Sequence, residues 1–200
     1  SKYLFVYLLL SISLLFIYVI YKKLKNFDFK YLIIIEIFLV LLVPHLIWLF
    51  DNDFITVSYG LKRSGLEESE ILNHVKYPIT FLLKQIGILI PFLLLMWLLI
   101  KKIEIKFNFN DRKFLFLLSI SILPIFLIFV TSAITGSKIR TMWMTPFYLP
   151  LGIFSVYLFR SQINLKKINS FLVGFLFLFF LSPSLYAYIS ITKNDKRTDY

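Results

Sequence analysis

Long apolar runs alternate with short polar segments along the whole chain. Each run has about 19–23 residues, the length that an α-helix needs to cross roughly 30 Å of hydrocarbon. The runs lack a period of two and are about twice as long as a barrel strand, so the pattern predicts helices. The predicted spans are approximately residues 3–21, 31–50, 79–100, 114–134, 141–159 and 169–191.

This pattern predicts an all-α fold, namely a polytopic transmembrane helix bundle of about six spans. Helices satisfy their own backbone hydrogen bonds, which hydrocarbon cannot do. The composition agrees, because 59% of the residues are hydrophobic and the mean hydropathy is +0.81, whereas a soluble domain is usually about 45–50% apolar. We therefore expect the lipid bilayer to surround most of residues 1–191.

Basic residues are distributed unevenly between the polar segments. Segments 22–30, 101–113 and 160–167 carry 12 Lys and Arg residues in 30 positions, and the segments after the other three spans carry 8 in 48. Because cytoplasmic loops are enriched in Lys and Arg, the first set is predicted to face the cytoplasm and the second set the outside. This anchoring explains the net charge of +11, and no nucleic-acid partner is expected.

The outer segment 51–78 is unusually long for a loop between two spans. Loops beyond about 12–15 residues often bind a ligand or close over a site, although a solvated connector is the alternative. Ser64 and Glu67 have the spacing of a capping box, which predicts a short interfacial helix over residues 65–76.

Three ionisable side chains lie near the outer end of the second predicted span. Asp51 and Asp53 are paired carboxylates that could serve as a base, bind a cation or orient a sugar hydroxyl, unless they only cap the helix or form a turn. His45 lies about one turn inside the span, where an ionisable group is a functional candidate unless a neighbouring helix satisfies it. The spacing gives no set of metal ligands, and no cofactor is evident.

Two basic pairs occur in the outer segments. Lys138 and Arg140 precede the fifth span, where helix amides attract anions, and arginine offers a fork that fits phosphate. Lys62 and Arg63 would join them if the two segments converge. The four residues then predict a site for a phosphate carried on a lipid, and anchoring to lipid headgroups is the alternative.

Three elements in order resemble a known family over roughly residues 40–155. They are the segment 44–54 (PHLIWLFDNDF) with Tyr59, the segment 74–78 (HVKYP) with Phe81, Leu82, Gln85, Ile90 and Pro91, and the group Gly136, Lys138, Arg140, Trp143 and Pro146. Together they resemble bacterial GT-C glycosyltransferases, in the branch of the protein mannosyltransferases and the lipid A aminoarabinose transferase.

The resemblance implies an enzyme of the bacterial inner membrane with many helices. Such an enzyme transfers a sugar from a polyprenyl-phosphate donor to a lipid, glycan or protein acceptor on the outer side. The catalytic acid of the family usually lies in a first outer loop, which nothing here matches. The chain starts at Ser1 and turns polar at 192–200, so we expect a C-terminal part of the membrane domain. Its catalytic residue is unknown, and a divalent metal is possible in the full-length enzyme.

The resemblance also suggests roles for the candidate residues. The four basic residues would bind the lipid phosphate, and Asp51, Asp53, Tyr59 and His45 would line the pocket for the sugar or acceptor. Two other classes stay open. One is a transporter or flippase, which needs polar groups near the middle of the membrane, where this chain has mostly Leu, Ile, Phe and Val. The other is a non-catalytic membrane scaffold.

Overall fold

A computed structural model of the chain describes residues 4–23, 28–64, 70–105 and 107–192. Within these residues the fold is all-helical and contains no strand, which confirms the predicted fold class at this level. The α-helices are α1 (Phe5–Tyr21), α2 (Tyr31–Asp51), α3 (Ile55–Arg63), α4 (Asn73–Leu99), α5 (Arg112–Ser121), α6 (Leu123–Thr135), α7 (Thr145–Tyr148), α8 (Leu151–Phe159) and α9 (Ile168–Thr192). Short 3-10 helices at Thr141–Met144 and Leu165–Lys167 precede α7 and α9.

Several of these helices have the length and apolar composition of a membrane span. Two qualify on their own: α4 and the 28-residue stretch Leu165–Thr192 that contains α9. Three more candidates are bent pairs, with bends of 81° between α2 and α3, 44° between α5 and α6, and 52° between Thr141–Tyr148 and α8. The described helices therefore offer two to five spans by length and composition, whereas the sequence predicted about six.

Prolines lie at two of the breaks. Pro124 lies in the first turn of α6, and Pro150 lies between α7 and α8. A proline ring has no N–H to donate and clashes with the carbonyl four residues earlier, so it favours a break, although α2, α4 and α9 continue through Pro44, Pro91 and Pro183. The segments 114–134 and 141–159, each predicted as one helix, are each divided.

The helix predicted over residues 65–76 is not one continuous element in the described residues, because only its last part, residues 73–76, is helical, as the start of α4. Residues 70–72 are not helical, and residues 65–69 lie outside the described part of the chain. Helix α3 also lies in this polar segment and ends just before Ser64.

Ser64, which the capping-box spacing predicts to precede a helix, directly follows the end of α3. Its hydroxyl donates to the carbonyl of Leu61 at 2.7 Å. Lys62 and Arg63 form the last turn of α3, where positive charge is favourable beside the negative end of the helix dipole. The local charge pattern thus suits a helix that ends at this serine.

The chain divides into two compact units, and the first comprises residues 1–85 and 107–154. In this unit α1 packs against α5 and α6. Its most buried cluster is formed by Phe81, Ile128, Met144 and Phe147. Because this cluster draws on α4, α6 and the 3-10 and α7 turns, it fixes the chain on both sides of the segment 136–140.

The second unit comprises residues 86–106 and 155–200. The backbone N–H of Lys101 donates to the carbonyl of Gln162 at 3.0 Å, and that of Asn164 to the carbonyl of Leu99 at 2.9 Å. The side-chain amide of Gln162 also exchanges two hydrogen bonds with the backbone of Glu104. The basic segments that follow α4 and α8 therefore lie side by side.

Candidate functional site

The first unit contains a cavity of about 1020 Å³, at which α1, α2, α3 and the end of α6 meet. Its volume lies at the upper end of the roughly 300–1,000 Å³ that is typical of small-molecule sites. Leu4, Val6 and Leu10 form an aliphatic wall contributed by the N-terminal part of the chain. The cavity therefore has room and apolar surface for a ligand with a hydrophobic portion.

Main-chain contacts bring the two predicted outer segments together at this cavity. The backbone N–H of Lys138 donates to the carbonyl of Ser64 at 2.8 Å. The side chain of His74 adds a second tie, because its Nδ1 lies 2.9 Å from the carbonyl oxygen of Ala133. A carbonyl only accepts, so Nδ1 carries the proton in this bond. The segment after α6 is thereby held against both α3 and the start of α4.

Gly136 makes the close approach of these segments possible. It follows the last residue of α6 in the left-handed conformation, with φ 64°, and its N–H donates to the carbonyl of Ser132 at 2.9 Å. A Cβ at this position would lie 3.0 Å from Nε2 of His74. Glycine is therefore required both by the turn that ends α6 and by the ring packed against it.

Aromatic and basic side chains form another part of the cavity lining. The rings of His45 and Trp48 are stacked, with centroids 6.3 Å apart and an interplanar angle of 10°. Arg63 donates from Nη1 to the hydroxyl of Tyr59, and its Cζ lies 5.4 Å from the centre of that ring. Arg63 is exposed, so Tyr59 holds a guanidinium at the lining of the cavity without removing it from solvent.

Hydroxyl groups form a further part of the lining. Thr131 donates to the carbonyl of Leu127 at 2.9 Å, and Thr135 donates to the carbonyl of Thr131 at 2.8 Å. The hydroxyl oxygens of Thr135 and Ser137 are 2.8 Å apart. Ser137 is held in place because its carbonyl accepts from the hydroxyl of Ser132 at 2.7 Å. The lining residues Thr131, Thr135 and Ser137 thus form a connected row, called here the hydroxyl row.

The structure brings three of the predicted site residues into the cavity lining. They are His45, Tyr59 and Arg63. The other five predicted residues, Asp51, Asp53, Lys62, Lys138 and Arg140, are not among its lining residues. Lys138 nevertheless lies at the junction of the two segments, because its N–H bonds to Ser64. Lys62 lies two residues before Ser64 in the other segment.

Asp53 occupies the turn that ends α2. It has φ 48°, and the N–H of Phe54 donates to the carbonyl of Leu49 at 2.9 Å while that of Asp53 donates to the carbonyl of Phe50 at 3.4 Å. These two bonds define a Schellman motif, in which the left-handed residue satisfies the last carbonyls of a helix. Asp51 is the last residue of α2, and both carboxylates are exposed.

The helix that begins after Lys138 and Arg140 is shorter than expected. Arg140 is half-buried and precedes a 3-10 helix of four residues, Thr141–Met144, instead of a long α-helix. A helix dipole grows from aligned peptide units, so the positive field here comes mainly from the side chains. In the described residues, no group of three or more His, Asp or Glu side chains could hold a metal ion.

Sequence reasoning missed two parts of the lining. Thr131 and Thr135 are four residues apart, which places them on one face of a helix and is the signal that could have found them. The contribution of Leu4, Val6 and Leu10 had no such signal, because α1 is apolar on every side. Only the packing of α1 against α5 and α6 brings these side chains to the cavity.

The fold and the site together define a helical protein with membrane-length apolar helices and a cavity with aliphatic, aromatic, basic and hydroxyl-bearing walls. No protein-family model matches the chain, and no curated protein and no solved structure matches it significantly.

Proposed function

We propose that the chain is part of a membrane glycosyltransferase of the bacterial inner membrane, crossing it several times. The enzyme would take a sugar from a polyprenyl-phosphate donor and transfer it to a lipid, glycan or protein acceptor on the outer side. The observation that supports this most directly is the cavity, which combines an arginine, a row of hydroxyls and an aliphatic wall. A polyprenyl-phosphate sugar has a phosphate to match the arginine, a sugar to match the hydroxyls and a hydrocarbon tail to match the aliphatic wall.

Arg63 is the residue assigned to the donor phosphate. Its planar guanidinium can donate two parallel hydrogen bonds to phosphate oxygens, and its bond to Tyr59 holds the group at the cavity lining. Lys62, Lys138 and Arg140 lie on the two segments that Ser64 and Lys138 join. Their positive charge raises the local concentration of an anionic lipid and steers it toward the cavity.

The aromatic lining is assigned to the sugar or the acceptor. Trp48 and Trp143 line the cavity together with His45, and the nearly parallel rings of His45 and Trp48 present a flat aromatic surface. Ligand sites commonly combine such aromatic surface with a few placed polar groups, which fix the orientation of the ligand. A sugar offers both apolar C–H faces and hydroxyls to such a lining.

In the transfer step, the bond between the anomeric carbon and the phosphate oxygen breaks as a bond to the acceptor oxygen forms. The polyprenyl phosphate leaves with the bonding electrons, and the acceptor loses a proton. Arg63 would stabilise the negative charge that develops on the leaving phosphate. The base that takes the proton is not assigned to any residue described here, since Asp51 and Asp53 lie outside the cavity lining.

The proposal is tested by the binding of undecaprenyl phosphate to the full chain in lipid nanodiscs. The chain has 3 Trp, and two of them line the cavity. In a Trp97→Phe background, tryptophan fluorescence therefore reports on the cavity. We expect saturable binding that Arg63→Gln weakens by about tenfold to a hundredfold, as for the loss of a hydrogen bond from a charged group.

Lys62→Gln is the matched control, because it removes the same charge from the same helix turn outside the cavity lining. We expect this variant to weaken binding by less than about threefold, as for an exposed charge. Absence of saturable binding to the unsubstituted chain would contradict the proposal. Equal losses in the two variants would show that general attraction of anions, not a site at Arg63, binds the phosphate.

A further inference from the structure

The hydrogen bonds of the hydroxyl row determine whether its hydroxyl groups can donate or only accept. Each hydroxyl has one hydrogen to donate and two lone pairs to accept with. Thr131 uses its hydrogen on the carbonyl of Leu127, and Thr135 uses its hydrogen on the carbonyl of Thr131. These two donors are therefore committed within α6.

Ser137 must then supply the hydrogen between itself and Thr135. Their oxygens are 2.8 Å apart, which is a hydrogen-bond distance and requires one hydrogen between them. Because the hydrogen of Thr135 is already directed at a carbonyl, the hydrogen of Ser137 fills this gap. In this arrangement every short oxygen–oxygen distance carries a hydrogen.

The hydroxyl row therefore presents acceptors, and no remaining donors, to the cavity that it lines. Ser137 is only 3% exposed, and its carbonyl is bonded to the hydroxyl of Ser132, so the row is held rigidly. A ligand group that donates hydrogen bonds satisfies such a wall. A carboxylate or a phosphate, which only accepts, would face oxygen lone pairs and lose its hydration without replacement.

We infer, resting on the proposed function, that the hydroxyl row selects the sugar of the lipid donor. It accepts hydrogen bonds from the hydroxyl groups of a neutral sugar and disfavours a sugar that carries a carboxylate. Thr131 and Thr135 are then specificity-determining residues, and Ser137 positions Thr135. The phosphate that links sugar and lipid is bound elsewhere in the cavity, at Arg63. The two parts of the donor are thus recognised by different residues.

The test compares undecaprenyl phosphate alone with undecaprenyl phosphate linked to glucose, mannose, arabinose or glucuronic acid, all bound to the full chain in nanodiscs. We expect at least one neutral sugar to bind about tenfold more tightly than the lipid phosphate alone, as two neutral hydrogen bonds would give. Glucuronic acid should lack this advantage. In the Thr131→Val, Thr135→Val double variant, the advantage of the neutral sugar should fall to about twofold or less, while binding of the lipid phosphate stays unchanged.

Thr80→Val is the matched control, because Thr80 makes the same bond to its own helix, to the carbonyl of Lys76, but does not line the cavity. Thr131→Val alone covers the case in which the double variant fails to fold. Equal binding of glucuronic acid and glucose would overturn the inference, as would a variant that weakens the lipid phosphate as much as the sugar-linked lipid. If undecaprenyl phosphate itself does not bind, the proposed function fails and the inference fails with it.

Discussion

The backbone N–H of Lys138 donates to the carbonyl of Ser64 at 2.8 Å, and this bond joins the two segments that the charge pattern predicts to lie outside the membrane. Ser64 follows α3, and Lys138 lies between α6 and the helical turns at Thr141–Met144. One hydrogen bond thus connects residues 74 positions apart in the sequence. It places the end of α3, which carries Arg63, against the segment that carries the hydroxyl Ser137.

Gly136→Ala should destabilise the protein. The new Cβ would need a left-handed backbone, which costs roughly 1–2 kcal/mol for an L-residue, and would lie 3.0 Å from the ring of His74. We expect a lower thermal midpoint in detergent and weaker binding of undecaprenyl phosphate. Gly87→Ala is the control, because its Cβ meets nothing within 4 Å and alanine favours a helix by roughly 0.5–1 kcal/mol. Similar midpoints for the two variants would show that the turn at Gly136 is not constrained.

Asp53→Gly should leave the protein equally stable or make it more stable. Asp53 is the left-handed residue of the Schellman motif that ends α2, and glycine adopts this conformation without a Cβ penalty. Asp53→Val, by contrast, should cost about 1–2 kcal/mol. Thermal unfolding of both variants checks this. A loss of sugar transfer in Asp53→Gly at unchanged stability would instead assign the carboxylate to the chemistry.

Gly174→Val should weaken the packing of α9 against α4. A Cβ at Gly174 would lie 3.0 Å from Cδ1 of Leu98 and 3.4 Å from Cδ2 of Leu95, so the larger side chain must displace these leucines. Overpacking of this kind typically costs about 1–3 kcal/mol. Gly87→Val introduces the same residue into a helix with open space around it. The difference between the thermal unfolding midpoints of the two variants therefore measures the cost of the contact with the leucines. No difference would mean that the leucines move aside freely.

The sequence predicts the helices well where apolar length alone decides them. The run at 169–191 corresponds to α9, and the run at 31–50 to α2, because a long, mostly apolar stretch has few other ways to satisfy its backbone. Both helices continue through an internal proline, Pro183 and Pro44. The runs at 114–134 and 141–159 are divided near Pro124 and Pro150, where proline removes a backbone hydrogen bond. The position of such a break depends on packing, which the pattern of apolar residues does not reveal.

The candidate site was predicted only in part, for a similar reason. Arg63, Tyr59 and His45 are polar residues beside apolar runs, so they stand out in the sequence, and all three line the cavity. Ser64 directly follows the basic last turn of α3, a helix end that the capping-box spacing does not indicate. The aliphatic wall from α1 depends on which helices become neighbours, and no residue of α1 is distinctive enough to show this.

The side of the membrane on which each segment lies tests the proposal most directly. The chain has no cysteine, so single cysteines can be introduced at Lys62, Lys138, Lys102 and Lys166 and labelled in intact cells with a maleimide that does not cross membranes. The proposal predicts labelling of Lys62→Cys and Lys138→Cys from outside, and labelling of the other two only after permeabilisation. Labelling of positions 62 and 138 from opposite sides, or of all four from one side, would contradict it.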